Sequence, residues 1–284
     1  MIVQPDIPAI MHTLIEKGLI EQDTKVKDRL NGTTDGQVYN LEVCGETKYV
    51  LKIDHPEQIS SVDRLHQAYV NSPLLAKLIY TDPAQNYILY KYIEGTTHVQ
   101  RGSKIEWLTL LVNDLLNHYQ MIPDEKWGGV ERIHDTWGAF NALSLEEARR
   151  GVGNLLPAED YRKVAALAGE ISGVREKYLL HGDTGVHNFV YRGNRLVGVI
   201  DPSPMAGPLI YDFTNAFCSS PDDLNLETLF AAFELLKPVT VERSRLIREV
   251  IFQLYCRIGI CARVHPHDLE EYLKAWETWK IHLV

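Results

Sequence analysis

Residues 180–201 constrain the fold and the chemistry of this chain more than any other segment. Asp183 lies on a glycine-containing loop, Asn188 follows five residues later, and Asp201 ends an apolar run. Two strand-like runs flank a Gly-Asn turn between Asn188 and Asp201, which predicts a β-hairpin. The segment therefore holds two acids and one amide at defined positions around a single hairpin.

The hairpin places Asn188 and Asp201 on one face if its strands pair symmetrically about the turn. Asn188 then lies opposite Val199, and Asp201 shares the face of Val199 because side chains alternate along a strand. Diagonal neighbours on one face lie roughly 7–8 Å apart. One hard cation could then bind an amide oxygen and a carboxylate at about 2.1 Å from each. Asp183 precedes the hairpin and is free to approach a substrate hydroxyl, as phosphoryl transfer requires.

The same residues resemble the catalytic loop of the kinase superfamily, in which a base Asp is followed by a metal-binding Asn and a second metal-binding Asp. The form His-Gly-Asp at residues 181–183 is similar to that of the aminoglycoside phosphotransferase (APH)-like small-molecule kinases. The resemblance implies that Asp183 is the catalytic base, that Asn188 and Asp201 bind Mg²⁺, and that ATP is the phosphoryl donor. The alternative is structural, with a loop Asp capping a turn and an Asp ending a strand.

The order of the predicted elements matches this resemblance along essentially the whole chain. It implies an α+β, protein-kinase-like, two-lobed fold. A small β-rich N-lobe (residues 1–94) would bind the nucleotide, and a larger, mainly helical C-lobe (residues 95–284) would carry the catalytic loop and the acceptor-binding helices. Apolar periodicity predicts strands at residues 26–30, 37–43, 48–53, 77–81 and 87–93, and helices at residues 8–19, 60–70, 107–121, 145–150, 158–171, 226–236, 243–261 and 268–282.

Lys52 lies within the third predicted strand, where its ammonium group needs a partner. By the resemblance, Lys52 binds the α- and β-phosphates of ATP; the alternative is a lysine on an exposed strand face. In the kinase pattern this lysine also pairs with a helix Glu, but the helix at residues 60–70 contains no Glu. Asp63 is the nearest candidate partner, and Glu57 is a more remote one.

Two further segments resemble parts of a nucleotide site. The polar loop between the first two strands resembles a phosphate-covering loop, in which glycines let backbone N–H groups approach phosphate oxygens. A glycine-flanked hairpin loop without a binding role is the commoner object. The candidate residues of this loop are Gly32, Thr33 and Thr34, and the hinge residues expected to hold the adenine edge are Lys91, Tyr92 and Ile93.

Composition excludes several classes of protein. A net charge of −9 and a pI of about 5.7 argue against a nucleic-acid partner, which would need a basic face. No membrane partner is expected, because no apolar run approaches the roughly 18 residues of a transmembrane helix and the N-terminus lacks the basic region of a signal peptide. The four cysteines form no CxxC pair, which favours reduced thiols in a cytoplasmic protein. The sequence leaves the oligomeric state open.

The acceptor is expected to be a small molecule, bound between the catalytic loop and the C-terminal helices. Acidic side chains there could attract a polyamine, which favours an aminoglycoside-like or other cationic antibiotic and a role in antibiotic resistance. The same acids suit solvated helix N-termini, and nearby arginines dilute their charge. The alternatives are a metabolic acceptor (choline-, homoserine- or sugar-like) or a non-catalytic nucleotide-binding protein of the same fold. The candidate substrate-binding residues are His187, Asp222, Asp223, Asp268, Glu270 and Glu271.

Other polar residues near the motif are interpreted as structural. His181 has no partner at metal-ligand spacing and is expected to pack against the catalytic loop and fix it. Asp212 is expected to hydrogen-bond within the segment that follows the hairpin. His265 and His267 flank a proline in a predicted loop, where a solvated pair is favoured over a zinc site.

Overall fold

The computed structural model of the chain describes residues 6–30, 36–123, 125–264 and 266–283. It is an α+β structure, as predicted. The proposed phosphate-loop residues Gly32, Thr33 and Thr34 lie outside the described residues, as does His265. None of the helices within the described ranges is both long and apolar enough to cross a bilayer.

The first third of the chain forms a five-stranded antiparallel sheet with the strand order β1-β2-β3-β5-β4. The alternation of side chains along β3 gives the sheet two different faces. Leu51 packs with helix α1, whereas Val50 packs with helix α2. Lys52 therefore lies on the α2 side. The elements are α1 (Ile7–Glu16), β1 (Lys25–Leu30), β2 (Gln37–Val43), β3 (Glu46–Ile53), α2 (Pro56–Ala68), β4 (Leu78–Thr81) and β5 (Tyr87–Lys91).

The remainder of the chain is mainly helical and shares one large apolar core. Its helices are α3 (Lys104–Asp114), α4 (Trp137–Val152), α5 (Ala158–Ile171), α6 (Leu209–Cys218), α7 (Leu226–Phe233), α8 (Arg243–Val264) and α9 (Leu269–Trp279), and its strands are β6 (Trp127–Gly129), β7 (Arg132–His134), β8 (Tyr178–Leu180), β9 (Phe189–Arg192), β10 (Arg195–Val199) and β11 (Met205–Gly207). Helix α8 packs against α4, α5, α6 and α9. Gly151 and Gly259 allow α4 and α8 to approach closely, because a Cβ on Gly151 would lie 2.0 Å from the carbonyl oxygen of Gly259.

The elements that the sequence did not predict are short or completely buried. Strands β6, β7, β8 and β11 have three residues each, too few to show a periodic pattern. Helix α6 is buried on nearly all sides, and its buried polar residues Asp212 and Thr214 interrupt the apolar pattern along it. Helix α4 begins at Trp137, well before the predicted start at residue 145. The predicted division at residue 94 stays a prediction.

Candidate active site

The hairpin after Asp183 forms as predicted, but its register differs by one residue. Strands β9 and β10 pair with Val199 opposite Phe189, and an irregularity between Leu196 and Gly198 shifts the pairing. The prediction that Asn188 lies opposite Val199 is therefore wrong, because a bulge adds one residue to β10. Asn188 instead ends a 3-10 turn, and its carbonyl oxygen accepts a hydrogen bond of 2.9 Å from Ile200 N.

The Asp183 carboxylate is held by one of its two oxygens. Oδ2 accepts hydrogen bonds from Asn188 Nδ2 at 2.9 Å and from His187 Nε2 at 3.0 Å. No donor among the described residues reaches Oδ1, so this oxygen is available to a ligand. Burial raises the pKa of Asp183, but the hydrogen bonds from His187 and Asn188 and the nearby imidazoles outweigh it, and the pKa lies below its usual value. The carboxylate is consequently ionised and able to accept a proton.

Asn188 is oriented by the same contacts. Its Nδ2 donates both to Asp183 Oδ2 and, at 3.0 Å, to the Asp183 carbonyl oxygen. Both amide hydrogens are thereby directed toward Asp183. The amide oxygen of Asn188 is left to bind another group. A hard cation prefers oxygen ligands of this kind.

The ring of His187 lies against the catalytic loop rather than facing only solvent. Gly185 makes room for it, because a Cβ on Gly185 would lie 2.3 Å from His187 Cε1. The ring also stacks with His98, with the two centroids 6.2 Å apart. His187 Nδ1 is buried and has no hydrogen-bond partner among the described residues, which fits a proton on Nε2, the atom that contacts Asp183.

A buried aspartate holds the backbone of the catalytic loop. Asp212 Oδ2 accepts a hydrogen bond of 2.7 Å from the Tyr119 hydroxyl, and both carboxylate oxygens lie 3.2 Å from Gly182 N. The Asp212 carbonyl accepts a bond of 2.7 Å from Thr184 Oγ1. Tyr119 in turn accepts a bond of 3.1 Å from His181 N. Burial raises the pKa of Asp212 to about 7. Asp212 is thus structural, as expected, but its partners are Tyr119 and the catalytic loop rather than the segment that follows the hairpin. The buried His181 is held in the same network through its N–H.

Gly182 fits this position because only glycine can. Its φ is +83°, in the left-handed region, and a Cβ would lie 2.0 Å from the carbonyl oxygen of Ser203. The glycine of the His-Gly-Asp motif thus lets the catalytic loop approach the segment that follows Asp201.

The C-terminal end of α6 supports the catalytic loop from the other side. Ser219 Oγ accepts a hydrogen bond of 3.1 Å from Val186 N. Lys104, completely buried, donates to the carbonyl oxygens of Phe217 at 2.9 Å and of Ser220 at 2.8 Å. Burial lowers the pKa of Lys104 to about 7. Lys104 was not predicted as a buried residue, because a lysine in the first turn of a helix is normally exposed.

Lys52 is an internal side chain, not a lysine on an exposed strand face. Its Nζ lies 2.7 Å from Asp201 Oδ1 and 4.0 Å from Asp54 Oδ2, and its side chain is 13% exposed. The prediction of Asp63 as its partner is wrong, because Asp63 Oδ1 accepts a hydrogen bond of 2.5 Å from Thr81 Oγ1. The structure thus joins Lys52 of the sheet to Asp201 at the end of the hairpin.

The donor set around Asp201 fits a magnesium ion. The available groups are the Asn188 amide oxygen and the Asp201 carboxylate, whose side chain is 53% exposed. Mg²⁺ prefers hard oxygen ligands and keeps several positions for water and phosphate oxygens. No cluster of three or more His, Cys, Asp or Glu side chains suited to a metal occurs in the described part of the chain. The site therefore suits a metal that arrives with a nucleotide better than a permanently bound one.

The three predicted hinge residues differ in what their backbones can offer. Lys91 N donates to the Lys77 carbonyl at 2.9 Å, and Tyr92 N donates to the Lys48 carbonyl at 2.8 Å. Ile93 N has no backbone partner among the described residues. Of the three N–H groups, only that of Ile93 is free to bind an adenine edge.

A surface cavity of about 790 Å³ lies beside the hinge, but on the wrong face of the sheet for a nucleotide. Its lining includes Tyr49, Lys91 and Tyr92. Tyr49 packs with the α1 cluster and alternates with Lys52 along β3. The cavity consequently opens on the side opposite Lys52. The Lys91 side chain points away from the expected nucleotide cleft.

The acidic residues proposed for the acceptor are mostly engaged with neighbouring cations. Asp222 pairs with Arg101 of the segment that follows the hinge. Asp223 has no side-chain partner among the described residues. Arg101 also donates a hydrogen bond of 3.0 Å to the His98 carbonyl. This segment therefore contacts both the catalytic loop, through the ring of His98, and the loop after α6.

The acids at the start of α9 are paired within their own region. Glu270 and Glu271 lie 3.0 Å and 2.8 Å from Lys274 Nζ, on the same helix. Asp268 lies 3.5 Å from His267 Nε2. No described contact joins these three acids to Asp183, so the structure does not gather the predicted acidic set into one cluster at the catalytic loop.

Solved structures that share the fold of this chain include kinases and an aminoglycoside phosphotransferase. A putative fructosamine-3-kinase from Haemophilus somnus is 14% identical, with a TM-score of 0.59, covering 97% of this chain and 96% of that one. A choline kinase from Cryptosporidium parvum is 13% identical, with a TM-score of 0.59 and coverage of 98% and 95%. A thermostable mutant of aminoglycoside phosphotransferase APH(4)-Ia, in complex with ADP and hygromycin B, is 14% identical, with a TM-score of 0.58 and coverage of 95% and 98%.

These likenesses confirm the predicted protein-kinase-like fold with its small sheet-containing lobe. No curated protein sequence matches the chain. A family model does, over residues 28–245, and these residues include Lys52, the catalytic loop and Asp201. The chain belongs to the APH phosphotransferase enzyme family.

Proposed function

We propose that the protein transfers the γ-phosphate of ATP, with Mg²⁺, to a hydroxyl group of a small molecule. The observation that carries this proposal is the Asp183 carboxylate, held through Oδ2 and open at Oδ1. A general base must be ionised, oriented and accessible, and Asp183 meets all three conditions.

In the proposed reaction the acceptor oxygen forms a bond to the γ-phosphorus and ADP leaves. The proton of the acceptor hydroxyl passes to Asp183 Oδ1. Lys52 binds the α- and β-phosphates and orients the leaving group. When bound through the Asn188 amide oxygen and the Asp201 carboxylate, Mg²⁺ would neutralise charge on the phosphate oxygens.

The other nucleotide-binding residues are proposed from their positions in the chain. The N–H of Ile93 is the available hinge donor for the adenine edge. Gly32, Thr33 and Thr34 precede β2 and are proposed to cover the phosphates. Lys91 and Tyr92 can contribute only their carbonyl oxygens or side chains, since their N–H groups are used within the sheet.

Two acceptor classes are proposed. An aminoglycoside-like or other cationic antibiotic is supported by the net charge of −9 and by the exposed acid Asp223. A metabolic hydroxyl compound, such as a choline-, homoserine- or sugar-like molecule, is favoured by the ion pairs that occupy Asp222, Glu270 and Glu271. A carboxylate already paired with a cation contributes little to a field that would attract a polyamine. The expected cytoplasmic location is proposed alongside, and is supported by four cysteines without a disulfide.

The test is ADP release by the purified protein with Mg·ATP and a panel of acceptors, compared with release by the Asp183→Asn variant. The panel contains aminoglycosides, other cationic antibiotics, choline- and homoserine-like compounds, and sugars including glycated amines. We expect acceptor-dependent turnover that the variant loses. ATP binding without turnover on any acceptor would instead support a non-catalytic nucleotide-binding protein. Turnover that survives in Asp183→Asn would contradict the proposed base.

A further inference from the structure

We infer that Asp54 is the counter-ion of Lys52 both with and without bound nucleotide. It takes the place of the helix Glu that pairs with this lysine in the kinase pattern. The inference rests on the proposed nucleotide-binding function of Lys52. It makes Asp54 a positioning residue, which acts on the nucleotide through the lysine rather than by touching the nucleotide itself.

Strand geometry brings Asp54 and Lys52 together. Asp54 directly follows Ile53, the last residue of β3, and its N–H still donates to the Asn86 carbonyl at 3.3 Å, so its side chain leaves the same face of the sheet as that of Lys52. Asp54 Oδ2 lies 4.0 Å from Lys52 Nζ. The other oxygen, Oδ1, accepts a hydrogen bond of 2.8 Å from His55 N, which fixes the rotation of the carboxylate. Oδ2 is thereby directed to the lysine.

Burial makes this pair more than a surface ion pair. The Lys52 and Asp54 side chains are 13% and 10% exposed. Charges so far removed from water are screened less than exposed ones and require a partner. Asp54 has no other cation within 4.0 Å in the described part of the chain.

Helix α2, which packs on the same face of the sheet as Lys52, offers no substitute. Its buried side chains are Ile59, Val62, Leu65 and His66. Burial lowers the pKa of His66 to about 4, so this residue is neutral at physiological pH. Asp63 is bound to Thr81, and Glu57 is exposed near the start of the helix.

Asp201 is closer to Lys52, but it cannot be the main counter-ion of the lysine when it binds Mg²⁺. The proposed reaction requires Asp201 to bind Mg²⁺, and a carboxylate oxygen bound to a dication is a much weaker partner for an ammonium group. Asp54 stays with Lys52 when Asp201 turns to the metal. It thereby keeps Nζ directed toward the phosphates in the nucleotide-bound state.

The test is a double-mutant cycle on nucleotide affinity. The Kd of the non-hydrolysable analogue AMP-PNP with Mg²⁺ is measured by calorimetry for wild type, Asp54→Asn, Lys52→Ala and the double variant. Asp63→Asn is the matched control, since it removes a carboxylate from the same side of the sheet and its amide oxygen can still accept from Thr81. We expect Asp54→Asn to weaken binding about tenfold, on the scale of losing one partly buried ion pair at 4.0 Å. It should have no further effect in the Lys52→Ala background, and Asp63→Asn should bind as wild type does.

Asp54→Glu keeps the charge and serves as the second variant. It is expected to recover most of the affinity, and it also tests the inference if Asp54→Asn proves too unstable to measure. The inference is overturned if Asp54→Asn weakens binding equally with and without Lys52, or if Asp54→Asn behaves like Asp63→Asn. Wild-type protein that fails to bind AMP-PNP overturns the proposed function and this inference with it. If the wild type binds AMP-PNP and Asp54→Asn binds it equally well, the inference is overturned and the proposed function stands.

Discussion

Replacing Asp183 by Asn tests which carboxylate oxygen performs the chemistry. In the wild type two donors, His187 Nε2 and Asn188 Nδ2, converge on Oδ2 at 3.0 Å and 2.9 Å. An Asn side chain at this position must turn its carbonyl oxygen toward these donors, because its NH₂ group would otherwise face two N–H groups. The NH₂ group then occupies the place of Oδ1, where the acceptor hydroxyl is expected.

The size of the effect follows from this orientation. An amide nitrogen in place of Oδ1 cannot accept the hydroxyl proton, so the whole contribution of the base is lost, about 10²- to 10⁴-fold in kcat. The loop itself should remain in place, because Asp212 still binds Gly182 and Thr184. The affinity for ATP should therefore stay at the wild-type value.

The assay is coupled ADP release with the acceptor that the panel identifies, combined with calorimetric titration of nucleotide. Asp63→Asn is the control for removing one negative charge elsewhere, and it should keep normal turnover. A kcat of Asp183→Asn within a few-fold of wild type would refute the assignment of Asp183 as the base. A loss of ATP affinity in parallel with kcat would show instead that the substitution disturbs the loop.

Three further outcomes are expected. Asp201→Ala should abolish Mg²⁺-dependent ATP binding, since the remaining protein ligand is a neutral amide; an unchanged Mg·ATP titration would place the metal elsewhere. His187→Ala should lower kcat about tenfold at unchanged ATP affinity, because one hydrogen bond to a charged group contributes about 1.5 kcal/mol; equal kcat values would mean that Asn188 alone orients Asp183. The pKa of Lys104 is about 7 in the folded protein, against the usual 10.5. Between these pH values the unfolded chain binds more protons than the folded chain, so the free energy of unfolding should rise with pH from about 7 to 10. Urea unfolding should show this rise in wild type and its loss in Lys104→Met; the same dependence of the free energy of unfolding on pH in both proteins would refute the prediction.

The sequence predicted those parts of the structure that depend on local pattern. Strand β2 and helix α5 have the predicted bounds, because their apolar residues follow one period throughout. The hairpin was also predicted, since its Gly-Asn turn is a strong local feature. Its register was not, because a single extra residue in β10 leaves the pattern of apolar residues almost unchanged while it shifts by one position the pairs beyond Leu196.

The candidate site was predicted where residues lie close in the sequence and missed where they meet only in space. Asp183, Asn188 and Asp201 belong to one hairpin, whereas the contact between Lys52 and Asp201 joins residues far apart in the sequence. The kinase pattern predicts a partner of Lys52 in helix α2, where Asp63 is the nearest acid. The period of two along β3, continued one residue past Ile53, would have indicated Asp54 on the same face.

The identity of the acceptor could not be predicted from a count of charged residues. A field that attracts a polyamine comes from unpaired carboxylates that line one cleft. In this protein Asp222 is paired with Arg101, and Glu270 and Glu271 share the single charge of Lys274. Of the candidate acceptor-binding residues, His187 lies in the catalytic loop itself, and its ring stacks with that of His98. Shape and hydrogen bonding around these rings, more than net charge, should therefore decide which hydroxyl compound the enzyme accepts.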